Sequence, residues 1–215
     1  MRVLGVLLVA ALPLLSACAA GQGPSAATRF VETQVSDGSQ ILHPAAWRIF
    51  NSGDPTRLDE EIRRLKEPWR SFALFLSDRA LLIAFSEGEG MLVVAGNEAI
   101  LEPVAPEELP SWRADQEALY RQALDFTAES LGRSPADLQM TPGEAVWRER
   151  PGTVGGVLEL RFAARRGAEG YEGSIAVLPF PKRIYVISAL WKGEKGQQAY
   201  EALLERSRFA PEREG

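Results

Sequence analysis

The sequence predicts an α+β fold, an antiparallel β-sheet with helices packed on it. Three observations lead there. The stretch "GVLELRFAARR" (156–166) alternates strictly, with Leu158, Leu160 and Phe162 facing one way and Glu159 and Arg161 the other. The β-rich runs around it follow one another with only short turns between them. Other segments carry apolar residues at helical spacing. Consecutive strands with helices laid on them are the α+β arrangement.

The elements follow in order. Residues 30–50 read as extended, with "SDGS" (36–39) as a turn and Pro44 interrupting any central strand. Asp54 is a good helix cap and Pro55 a good first helical residue. The helix they start places Leu58, Ile62 and Leu65 on one side, and Pro68 stops it. "ALLIAFS" and "MLVVAGN", joined by "EGEG" (87–90), predict a hairpin. Residues 101–110 carry three prolines and read as a loop. A long helix is predicted from Ser111 to Leu131. Trp112, Leu119, Ala123 and Phe126 mark one side of it, and Tyr120, Leu124, Ala128 and Leu131 widen the stripe. Gly132 ends it.

After "GAEG" (167–170), "YEGSIAVLPF" places Tyr171, Ile175 and Val177 on one face. "KRIYVISALW" (182–191) is apolar on both faces, as a strand covered on both sides is. "KGEKG" (192–196) then leads to a last helix that buries Tyr200, Leu203 and Leu204.

The N-terminus reads as a processing segment. Arg2 precedes an apolar run from Val3 to Leu15 that is too short for a comfortable membrane span and is broken by Pro13. Leu15, Ser16, Ala17 and Cys18 resemble the lipobox of bacterial lipoproteins. In that family a signal peptidase cuts before the cysteine and a lipid is joined to its sulfur. Ordinary secretion through a small-x-small site and an uncleaved anchor are the competing readings. Cys18 is the only cysteine in the chain. Acylation would leave no thiol for a disulfide, a nucleophile or a metal. The predicted organisation is a signal peptide (1–17), a lipidated terminus and tether (18–29), one α+β domain (30–210) and a C-terminal tail (211–215). Ala19 after the cysteine leans toward the outer membrane, facing the periplasm, if the source is Gram-negative.

A family resemblance extends over roughly residues 30–209. "ILHPAAW" is similar to the I-x-x-P-x-x-W stretch of PsbP-like domains, and "YVISALW" followed by "AYEALLERSRF" resembles their last strand and closing helix. The resemblance implies a PsbP-like α/β/α sandwich. It also implies a non-enzymatic accessory or binding role at membranes and large assemblies. It carries over no functional residue.

The chemistry-bearing residues are sparse. His43 is the only histidine, sits before Pro44, and reads as structural. No G-x-S-x-G elbow, zinc cluster, calcium loop or phosphate loop is present. Neither a cofactor nor a metal is expected, and the chain is not expected to be an enzyme. The net charge of −5 and the lack of a basic run argue against nucleic acid as a partner. Of the five tryptophans, Trp112 and Trp191 are expected to be partly exposed and are the candidate binding residues. The predicted function is a membrane-anchored envelope lipoprotein that binds or assists an envelope protein or complex. The alternative is a small-ligand site in a cleft between sheet and helix.

Overall fold

The computed structural model describes residues 28–51, 55–76, 80–133 and 137–210. Leu15, Ser16, Ala17, Cys18, most of the tether, the Asp54 cap and the 211–215 tail lie outside the described residues. Strands β1 (Phe30–Gln34) and β2 (Gln40–Pro44) form a hairpin, and Pro44 ends the second of them. Then come β3 (Arg48–Asn51), α1 (Pro55–Arg63), α2 (Trp69–Leu76), β4 (Ala80–Ser86) and β5 (Gly90–Glu98). Helix α3 (Leu109–Leu131) leads to β6 (Gln139–Arg148), β7 (Val157–Arg166), β8 (Glu169–Phe180), β9 (Arg183–Trp191) and α4 (Gly193–Arg206).

Among the described residues β3 to β9 form one seven-stranded sheet in the order β3-β4-β5-β9-β8-β7-β6, antiparallel throughout. β9 lies between β5 and β8, where both faces need cover. The alternation of each strand sorts its residues between two cores. Ile83, Phe85, Leu158, Leu160, Phe162 and Leu190 meet α1, α2 and α3. Leu82, Ala84, Leu92, Tyr185, Ile187 and Trp191 meet α4 and the residues around the β1–β2 hairpin. The fold is α+β, with an antiparallel sheet between two layers. Gly196 lets α4 lie close over β9, because a Cβ there would collide with Trp191 and with the Glu89 backbone.

Three features differ from the sequence reading. Residues 69–76 form α2, which buries Trp69, Phe72 and Ala73 at a spacing of three and four. Residues 139–148 form the edge strand β6, whose register shifts between Pro142 and Ala145. A proline and a bulge at an edge leave no clean alternation to read. Helix α3 begins at Leu109 rather than Ser111, since Pro110 is accommodated in its first turn.

The turn of the β1–β2 hairpin is fastened to β9 by Asp37, with the Ser39 hydroxyl adding a hydrogen bond to Tyr185 OH at 3.0 Å. Asp37 accepts hydrogen bonds from Arg183 Nη1 at 2.7 Å, Tyr185 OH at 2.8 Å and the Ser39 backbone N–H at 2.9 Å. Burial by itself would raise its pKa. The Ser39 N–H, the hydroxyls and the Arg183 guanidinium outweigh burial and hold it below 3.8. His43 is buried, with Nδ1 donating to the Pro44 carbonyl at 3.1 Å and Nε2 accepting from the Thr33 hydroxyl at 2.8 Å. Burial favours its neutral form and lowers its pKa below 6.5.

Asp37 has a depressed folded pKa. Its stabilisation is present above the unfolded value and is lost as pH falls through the folded one. Asp37→Asn is therefore expected to cost roughly 1.5–3 kcal/mol at pH 7, the range of hydrogen bonds to a charged group. The gap between wild type and variant should begin to narrow as pH falls below about 4 and close only once pH is below the folded pKa. Urea denaturation in steps from pH 7 to about pH 2 checks both halves.

Candidate docking surface

Helix α3 lies on the β6–β7 end of the sheet. Its N-terminal half is set by aromatic packing. Trp112 sits 5.9 Å from Trp147, and Arg113 stacks over Trp147 at 5.2 Å while donating to the Gly155 carbonyl at 2.8 Å. Gly155 has φ +73°, and a Cβ there would collide with the Trp112 ring. Farther along, Arg121 donates to the Gly143 carbonyl at 3.1 Å and pairs with Glu117 at 2.8 Å. Leu124, Thr127 and Leu131 are the buried residues of the helix.

The predicted apolar stripe does not all face the sheet. Leu119 is 55% exposed and Phe126 64% exposed, and Ala123 between them is exposed too. Leu119, Ala123 and Phe126 are spaced four and three and so share one side of the helix. That side lies about 100° around the axis from Tyr120, Leu124, Thr127 and Leu131, at about 100° per residue. The helix is apolar on two sides, and the sheet covers one. The sequence merged them into a single broad stripe.

A second feature lies on the opposite face of the sheet. Cavities of about 430 Å³ and about 330 Å³ open beside α4. Arg148, Arg150, Val157 and Leu204 line the larger; Glu159, Arg161, Trp191, Gln197 and Tyr200 line the smaller. Glu159 is 1% exposed and takes Arg161 Nε at 3.0 Å on Oε1. Arg148 Nη2 stands 2.8 Å from Oε2 as an ion pair, without the alignment of a hydrogen bond. The Glu159 charge holds the Arg161 pKa above its ordinary value. Tyr200 donates to Ser174 Oγ at 2.9 Å, and burial pushes its hydroxyl pKa well up. Arg150 closes the other end of α4 by donating to the carbonyls of Leu204 and Ser207.

The two candidate tryptophans fall in different places. Trp112 is half-buried at the start of α3. Trp191 is only 7% exposed, which corrects the expectation of a partly exposed ring. Its strand is central, α4 closes over it, and its ring stacks on Tyr200 at 5.3 Å. Its indole N–H has no hydrogen-bond partner among the described residues. Cys18 lies outside the described residues. Among the described residues no cluster of three or more His, Cys, Asp and Glu is placed to hold a metal ion, and no helix is long and apolar enough to cross a membrane.

No family model matches the chain, and no curated protein matches it either. Chains of known structure do match. One is the solution structure of cyanobacterial PsbP (CyanoP) from Synechocystis sp. PCC 6803, with a TM-score of 0.51 over 91% of this chain and 99% of that one, at 15% identity. The fold is PsbP-like. In this PsbP-like frame, α3 and α4 cover opposite faces of the sheet, so the Leu119–Phe126 side and the α4 cavities are separate features.

The two sides of α3 should respond differently to truncation. Leu124→Ala is expected to cost about 2–5 kcal/mol, the range for a buried leucine in a packed core. Leu119→Ala and Phe126→Ala should stay within roughly 0.5 kcal/mol of wild type, as exposed positions do. Thermal and urea denaturation of the three variants decides it. Equal losses at positions 119 and 124 would refute the assignment of faces.

Proposed function

We propose that this chain is a non-enzymatic accessory module of the bacterial envelope, anchored by a lipid on Cys18, that docks a protein partner on the outer side of α3. The observation that carries the docking reading is the exposed Leu119–Ala123–Phe126 stripe. A leucine and a phenylalanine more than half in water, one helical turn either side of an alanine, offer apolar area that a partner can bury. A rigid sheet beneath the helix keeps that side pre-formed, which lowers the ordering cost of binding. The Leu15-Ser16-Ala17-Cys18 pattern supports the anchor, since acyl chains on and beside the cysteine hold a protein at a bilayer without a span. The PsbP-like fold is compatible with the accessory role that the family resemblance implies.

The α4 cavities favour a second reading, a small ligand held between helix and sheet. A cavity of about 430 Å³ lies within the range of small-molecule sites. The docking reading is preferred because the charges lining the cavities are already committed: Glu159 is ion-paired with Arg148 and Arg161, and Arg150 is bonded to the end of α4.

Two measurements test the proposal. Intact-mass analysis of the mature protein should find an N-terminus at Cys18 carrying fatty-acid mass. A photo-crosslinking residue at position 126 should trap one envelope protein in living cells, while the same residue at Glu205 on α4 should not. An unmodified terminus removes the anchor from the proposal. Absence of any adduct at positions 119 and 126, or the same adduct at 205, removes the docking surface.

A further inference from the structure

The outer side of α3 has a charged border as well as an apolar centre. Asp115, Asp125 and Glu129 are all exposed, and none has an ion-pair partner among the described residues. The helix carries two arginines, and both are occupied. Arg113 is bound to Gly155 and Trp147, and Arg121 to Glu117 and Gly143. The uncommitted charge of α3 is therefore negative.

This pattern limits what covers the stripe. Resting on the docking reading above, we infer that the occupant is a basic, amphipathic helical segment of a partner protein. It sets apolar residues at helical spacing against Leu119, Ala123 and Phe126 and aims Lys or Arg at Asp115, Asp125 and Glu129. An amphipathic helix laid along an apolar side is a common way to recognise such a surface, and opposite charge at the rim sets its register and speeds its arrival.

The other occupants fit less well. A second copy paired antiparallel about Ala123 turns the same acidic border of both helices to one side, which sets Glu129 of one copy near Asp115 of the other. Like charges across a rim oppose association. A bilayer surface prefers cations around an inserted apolar side, and anionic lipid repels this border. Strand addition at the neighbouring edge is hindered, because β6 carries Pro142 and a shift of register before Ala145.

The test uses two fluorescent peptides of about five helical turns, one a Leu/Lys amphipath and the other its Leu/Glu twin. Their binding to the full chain is read by anisotropy at physiological salt. The Lys peptide should bind at least about tenfold more tightly than its twin, and Phe126→Asp should abolish that difference. The triple variant Asp115→Lys, Asp125→Lys, Glu129→Lys should invert the preference. Reversing three exposed acids on the other face, Glu172→Lys, Glu194→Lys and Glu205→Lys, should leave it unchanged. Circular dichroism confirms that each variant is folded. Equal binding of the two peptides, or a preference indifferent to the α3 reversals, overturns the inference. So does self-association of the chain, or its binding to phosphatidylglycerol vesicles, that depends on Phe126. A crosslink at position 126 that persists in the triple variant would leave the docking reading standing and remove the basic partner.

Discussion

A sheet that is apolar on both faces must be covered twice, and the rest of this molecule follows from that requirement. β9 places Tyr185, Ile187 and Trp191 on one side and Leu190 on the other, at the centre of seven strands. At about 25 cal/mol per Å² of apolar surface, neither face can be left in water without forfeiting much of the stability of a domain this size. The chain therefore divides its cover. α1, α2 and α3 close one face, and α4, Trp47, Val35, Ile41 and Phe209 close the other. Once both faces are satisfied, further exposed apolar surface needs another explanation. Leu74 and Ile100 are exposed singly, whereas Leu119 and Phe126 share one side of a helix whose other side, with Leu124, Thr127 and Leu131, already covers the sheet one quarter-turn away.

The same division accounts for the buried charge. Glu159 sits in the alternating pattern of β7 where a solvent-facing residue belongs, but α4 lies near enough to bury it. A carboxylate so placed needs partners. Arg148 from the edge strand and Arg161 from its own strand supply them. Both arginines remain partly in water, which reduces the cost of bringing three charges together. On the other side of the sheet, Trp112 and Trp147 do for α3 what Tyr200 and Trp191 do for α4. Each pair of rings sets its helix at a fixed distance from the strands.

Much of the fold is legible because its strands alternate and the turns between them are short, most of them containing glycine. β7, β8 and α4 follow directly from Leu158-Leu160-Phe162, Tyr171-Ile175-Val177 and Tyr200-Leu203-Leu204, and β9 from its apolar run on both faces. What was illegible has physical causes. β6 is an edge strand whose Pro142 and bulge replace alternation. α2 is only eight residues long, about two turns, too short for its spacing at Trp69, Phe72 and Ala73 to stand out as a helical period. The docking side was visible as residues but not as a surface. Trp112, Leu119, Ala123 and Phe126 do share a side, yet periodicity alone cannot say which of two apolar sides the sheet takes. Trp191 misleads for the opposite reason: a strand end reads as exposed until the helix folded over it is known.

The docking surface exists only if the Leu119–Phe126 side of α3 meets water. In a chain with Cys18→Ser, single cysteines at Leu119, Phe126, Leu124 and Thr127 can be titrated with a maleimide under native conditions. Positions 119 and 126 should be modified rapidly, with 124 and 127 protected until the protein is unfolded. Protection at 119 and 126, or equal rates at all four positions, would contradict this assignment of sides.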